Sequence, residues 1–116
     1  MTVATAAGPV LSIVMGLAAL VEPVRFGAQV GLAADGPLGR SELRAVFGGV
    51  FVGLGLACLL SGARGAWLAG AGVFAGGVAA KLGSAAVERG VLPAAALGLA
   101  VDVVLCAVFL FGAPAA

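Results

Sequence analysis

Four apolar stretches, each at or near the length needed to cross a bilayer, divide this chain of 116 residues. They are Val3–Val21, Ala45–Leu60, Ala66–Val87 and Val91–Gly112. A spanning helix needs about 20 predominantly apolar residues. Breakers and charges separate the stretches: Glu22-Pro23, Ser41-Glu42-Leu43-Arg44, Gly62-Ala63-Arg64-Gly65 and Glu88-Arg89-Gly90. These are start and stop signals for helices. A soluble fold of this size could not hide so much apolar surface. Hydrophobic residues make up 63% and charged residues 9%, against about 45–50% and about 25% in soluble domains. The expected fold is therefore all-α: one domain, residues 1–116, forming an integral membrane four-helix bundle with spans near 3–21, 42–60, 66–87 and 91–112.

The second stretch is short. Its sixteen residues rise about 24 Å, less than the roughly 30 Å of hydrocarbon. Its helix is expected to begin earlier, with Ser41 as N-cap and with Glu42 and Arg44 at headgroup depth. The two tight links make antiparallel neighbours. The first connection, residues 22–40, mixes Val24, Phe26, Val30 and Leu32 with Arg25, Gln29 and Asp35. That mixture suits a segment lying in the interface, with Asp35-Gly36-Pro37 as a turn. Val3–Val21 lacks the positive n-region of a signal peptide and is read as a span. Twenty glycines include the pairs Gly49/Gly53 and Gly72/Gly76. Small-xxx-small pairs let helices approach closely, so both are expected to be packing seams.

With four spans, loops one and three share a side. Glu22, Arg25, Asp35, Arg40, Glu42, Arg44, Glu88 and Arg89 gather there, with Lys81 nearby; Arg64 alone lies opposite. The excess of arginine predicts a cytoplasmic mouth and outward termini.

Two charges lie inside spans. Asp102 has eleven span residues before it and ten after. A carboxylate at such depth costs about 2.5–3.5 kcal/mol on insertion scales. It is either structural glue or a proton-transfer or ligand-binding group. Ala95, Gly98 and Cys106 share its helix face and are small, which predicts an inward orientation. Lys81 can snorkel towards the interface near Glu88 or reach across to Asp102. Glu42 falls on the face of Gly49 and Gly53 in a regular helix and is expected at the bundle mouth. Arg44, two positions on, must face another way and suits a headgroup phosphate. The candidate catalytic set is Glu42, Lys81 and Asp102, with Arg44 as a ligand-binding residue. Histidine is absent, which disfavours a zinc site, and no phosphate loop or nucleophile motif is present. No metal and no cofactor is expected. Net charge is +1, so no nucleic-acid partner is expected. Cys58 and Cys106 read as small buried hydrophobes.

The stretches Ser41-Glu42-Leu43-Arg44-Ala45-Val46-Phe47-Gly48-Gly49 and Gly53-Leu54-Gly55-Leu56 resemble the bacterial membrane protein family known as domain of unknown function 4345. Pro23 after the first span, a basic residue in the third and an acid in the fourth extend the resemblance across the layout. It implies a four-span protein of a bacterial inner membrane and no particular activity. The family typically carries Arg near the position of Lys81 and Glu near that of Asp102. Lys is not equivalent to Arg at a bidentate site.

Three functions fit these features. A small bundle with a polar mouth and an intramembrane acid–base set could bind or convert a lipophilic small molecule by isomerisation, cyclisation or epoxide opening. Alternatively, the chain is an accessory membrane subunit whose glycine seams pack against itself or a larger membrane partner. A small transporter ranks last, because four helices would have to oligomerise to alternate access and no pair of discontinuous helices is evident.

Overall fold

A computed structural model describes residues 1–115, the side chains of Leu92 and Ala94 excepted. The described residues form five helices and no strand: α1 (Val3–Val21), α2 (Pro23–Gln29), α3 (Gly36–Ser61), α4 (Arg64–Val87) and α5 (Val91–Gly112). All but α2 are long and apolar enough to cross a membrane, and the chain is a multi-pass membrane protein. At most 28% of the apolar stretch of any span is buried within the protein. Val14, Leu17, Leu60, Val73, Val104 and Phe111 stand among the exposed large side chains. Lipid is the solvent that removes the penalty for that surface. α1 packs on α3 and α5, and α4 packs most closely on α5. The links α3–α4 and α4–α5 turn through Gly62 (φ 62°) and Gly90 (φ 81°), the left-handed conformation that glycine adopts without strain.

α1 starts where Thr2 Oγ accepts from the Thr5 N–H at 3.2 Å, an N-cap. Pro9 lies inside α1 and has no N–H to give the carbonyl four residues earlier. That carbonyl belongs to Thr5, and it accepts instead from the indole Nε1 of buried Trp67 at 2.9 Å. In hydrocarbon an orphaned carbonyl costs several kcal/mol, so the proline of one span fixes the tryptophan of another. α2 ends in a Schellman motif: Leu32 N–H donates to the Gly27 carbonyl at 2.7 Å, Gly31 N–H to Ala28 at 3.4 Å, and Gly31 has φ 82°.

α3 begins at Gly36, earlier than Ser41, which is an exposed residue inside the helix. Pro37 occupies the first turn, where its fixed φ favours initiation. The resulting 26 residues span about 39 Å and put Glu42 and Arg44 on the helix, as expected. Within α3, Arg44–Val50 is a π-helix. Each residue of a π turn advances less around the axis than in an α turn. The face shared by Glu42, Gly49 and Gly53 in a regular helix is thereby broken.

The glycine seams consequently differ from expectation. A Cβ on Gly53, Gly72 or Gly76 would meet nothing within 4 Å, and one on Gly49 only its own helix. Close approaches occur at Gly48 and Gly55, where a Cβ would lie 2.6 Å from Leu20 and 2.5 Å from Ile13 of α1. On α4 they occur at Gly70 and Gly77, which face α5. Each pair is separated by one heptad, the spacing of helices crossing at a shallow angle. Beside the Gly48–Gly55 seam, buried Ser12 of α1 donates to the Phe51 carbonyl at 2.7 Å, an interhelical bond of the kind that holds membrane bundles together.

Candidate functional site

Lys81 and Asp102 meet. Antiparallel packing of α4 on α5 brings Lys81 Nζ to 2.5 Å from Asp102 Oδ2. The placement follows from backbone geometry. Helical side chains lean towards their own N-terminus, so in an antiparallel pair each covers the residues that precede the other. Those residues are glycines. A Cβ on Gly77, four before Lys81, would lie 2.8 Å from Asp102 Oδ2. A Cβ on Gly98, four before Asp102, would lie 3.1 Å from Lys81 Nζ. Each charge therefore lies in a notch left by the other helix. The acid is the deeper partner: its side chain is 13% exposed, that of Lys81 34%. Lys81 lies six residues from Val87 at the end of α4, about 9 Å below the mouth.

The pair forms one wall of a cavity of about 120 Å³. The remaining lining is apolar: Met15 of α1, Phe26 of α2, Val30 and Leu32 of its capping turn, Phe47 and Phe51 of α3, and Gly98 and Val101 of α5. The capping turn matters because the Schellman bonds place Leu32 back over α2 and against the cavity. Phe26, Phe47, Phe51, Phe74 and Phe109 continue as a ladder through the bundle, with successive ring centroids 5.2–5.7 Å apart. The contacts are tilted or edge-on as far as Phe74 and stacked between Phe74 and Phe109, all favourable aromatic geometries at this spacing. Phe26 also lines an outer groove of about 280 Å³ with Ala18, Val21, Glu22, Arg25 and Gln29. It therefore separates the groove at the mouth from the cavity inside.

The other candidates lie apart from this pair. Glu42 is exposed and does not line the cavity; the π segment that follows it turns the remainder of α3 away from its face. Arg44 is exposed, and its Nε donates to the Leu20 carbonyl at 3.1 Å. That satisfies one of the carbonyls left open at the end of α1. Its four other N–H groups are on the terminal nitrogens and remain suited to a phosphate. Glu22 and Arg25 form an exposed pair at 3.5 Å. At the opposite end Arg64 Nη1 donates to the Pro114 carbonyl at 2.9 Å. Among the described residues no group of three or more His, Cys, Asp or Glu could hold a metal, and both cysteines are free.

The sequence does not announce the aromatic lining or Gly77. Phe47 and Phe51 are four apart and share a face, but such a pair also describes an ordinary core. The Gly-xxx-Lys and Gly-xxx-Asp spacings on adjacent antiparallel spans are the signal that would have found the notches.

Compared with protein-family models, curated proteins and solved structures, the chain has no significant match to any.

Proposed function

We propose that this protein binds a small lipophilic molecule with one polar end, and holds that end at the Lys81–Asp102 pair. The observation that carries the reading is the cavity lining, apolar throughout except for one ion pair. Ligand sites combine a mostly apolar lining with a few placed polar groups. The volume sets a size. A cavity of about 150 Å³ holds benzene, whereas drug-sized ligands fill about 300–1,000 Å³. About 120 Å³ therefore suits the polar head and first few carbons of a lipophile, with any tail extending past Phe26 into the groove or the bilayer.

Conversion extends the same reading. A proton donor and an acceptor within hydrogen-bond reach of one ligand atom are what isomerisation, cyclisation or epoxide opening require. Lys81 is the donor and Asp102 the acceptor. Glu42 and Arg44 act at the mouth, Arg44 on a headgroup phosphate. We place that mouth on the cytoplasmic side of a bacterial inner membrane, from the arginine excess and from the resemblance carried by residues 41–49 and 53–56.

A second reading has its own support. Closure of the pair at 2.5 Å is also what internal glue in an accessory subunit would look like. Mass spectrometry of small molecules extracted from protein purified in mild detergent, wild type against Asp102→Asn, separates the two. A discrete lipophile found only with the wild type is the expected result. Bulk phospholipid alone in both samples favours the accessory subunit.

A further inference from the structure

Resting on that binding reading, we infer that the polar end of the ligand is an uncharged oxygen, as in a ketone, ether or alcohol, and that carboxylates, phosphates and ammonium groups are excluded. The cavity lining contains two ionisable groups, one of each sign, already joined. Their sum is zero. In a low-dielectric wall a third charge has no counter-ion: a carboxylate drawn to Lys81 leaves Asp102 uncompensated, and an ammonium drawn to Asp102 leaves Lys81 so.

A neutral oxygen avoids this conflict. The lysine ammonium has three N–H donors. Among the described residues its one hydrogen-bond partner is Asp102. A carbonyl or hydroxyl oxygen can accept a second N–H while the ion pair stays closed. The notches at Gly77 and Gly98 favour that closed state, because each charge rests against glycine backbone on the facing helix. A hydroxyl can in addition donate to the carboxylate, so alcohols and ketones both fit and ions of either sign do not.

The chain supplies its own reporter. It has two methionines: Met15 lines the cavity, and Met1 is exposed at the N-terminus. With 13C-methyl methionine in lipid nanodiscs, Met15 reads cavity occupancy and Met1 serves as internal control. The probes are cyclopentanone, cyclopentanol, cyclopentanecarboxylate and cyclopentylammonium, which share a ring suited to the cavity volume. In the wild type the ketone and the alcohol should saturate the Met15 shift at concentrations about tenfold or more below either ion. In Asp102→Asn the site carries one net positive charge, and the carboxylate should gain about tenfold relative to the ketone. Partition into the bilayer belongs to the probe and not to the variant, so this change in ratio reports the site. If the variant does not fold, the wild-type ranking decides once each probe's concentration is corrected for its partition into protein-free nanodiscs. An ion that matches or beats the neutral probes in the wild type overturns the inference and leaves the binding reading standing, as does an unchanged ratio in the variant. If no probe moves Met15, the cavity is not a binding site and both fall.

Discussion

The two ends of the bundle use one device for different ends. At the end away from the mouth, glycines recess the backbone so that large rings fill the space. A Cβ on Gly70 would lie 2.5 Å from the Phe109 ring, and one on Gly8 3.1 Å from it. Trp67, Phe74 and Phe109 there are fully buried, and the one backbone carbonyl freed by Pro9 is taken by Trp67. At the mouth end Gly77 and Gly98 recess the backbone again, but what enters the notch is a carboxylate and an ammonium, and beside them a cavity remains. The closed end is packed for stability. The mouth end gives up packing to keep an ion pair and a void together, and that void, lined by aromatic rings and one ion pair, is the ligand site proposed above.

The largest expected effect is at the closed end. Trp67→Ala should destabilise the bundle by about 3–5 kcal/mol, read by unfolding in mixed micelles; a negligible effect would mean that the closed end is not the stable one. At the mouth, Lys81→Met leaves Asp102 unpaired at depth and should cost about 2.5–3.5 kcal/mol. Replacing both, as Lys81→Met with Asp102→Leu, should restore stability to within about 1 kcal/mol of wild type while abolishing ligand binding. Loss of the fold in the double variant would show that the pair is structurally required. A finer contrast lies between neighbours on α4. Gly77→Ala pushes the Asp102 carboxyl aside and should cost about 1–3 kcal/mol. Gly76→Ala meets open space and should be neutral or stabilising by up to about 1 kcal/mol; equal effects would refute the seam drawn here. The smallest effect is a coupling. Trp67→Phe orphans the Thr5 carbonyl at a cost of about 1 kcal/mol or more, and in a Pro9→Ala background, where residue 9 regains its N–H, that hydrogen-bond cost should largely vanish from a double-mutant cycle.

The spans were legible because each is an unbroken apolar run closed by proline, glycine or charge, and hydrocarbon thickness leaves little freedom in their lengths. The start of α3 was not, because Ser41 is a good N-cap by type and Gly36-Pro37 a good turn by type; the structure makes the glycine–proline pair the first turn of the helix. The seams misled for a related reason. Gly49/Gly53 and Gly72/Gly76 have the right spacing, but spacing identifies a stripe and not the direction it faces. A π stretch, which depends on the packing of the whole helix, then changes the direction on α3. Asp102 and Lys81 were visible as the two charges that hydrocarbon should not contain. Their contact required the register of α4 on α5, which the sequence encodes through glycines that face the partner helix, Gly70, Gly77 and Gly98. The cavity was least legible, since its walls come from all five helices and from the capping turn after α2.

Filling the cavity while leaving the ion pair in place tests the ligand site most directly. Val101 lines the cavity beside Asp102, and Val101→Phe adds a ring to a space of about 120 Å³. Small molecules extracted from this variant and from the wild type would be compared by mass spectrometry, with helicity and thermal unfolding as controls for the fold. The expected result is a discrete lipophile in the wild type that is absent from a folded Val101→Phe protein. The same species retained by the filled variant, or bulk phospholipid alone in both, would contradict a ligand site at the Lys81–Asp102 pair.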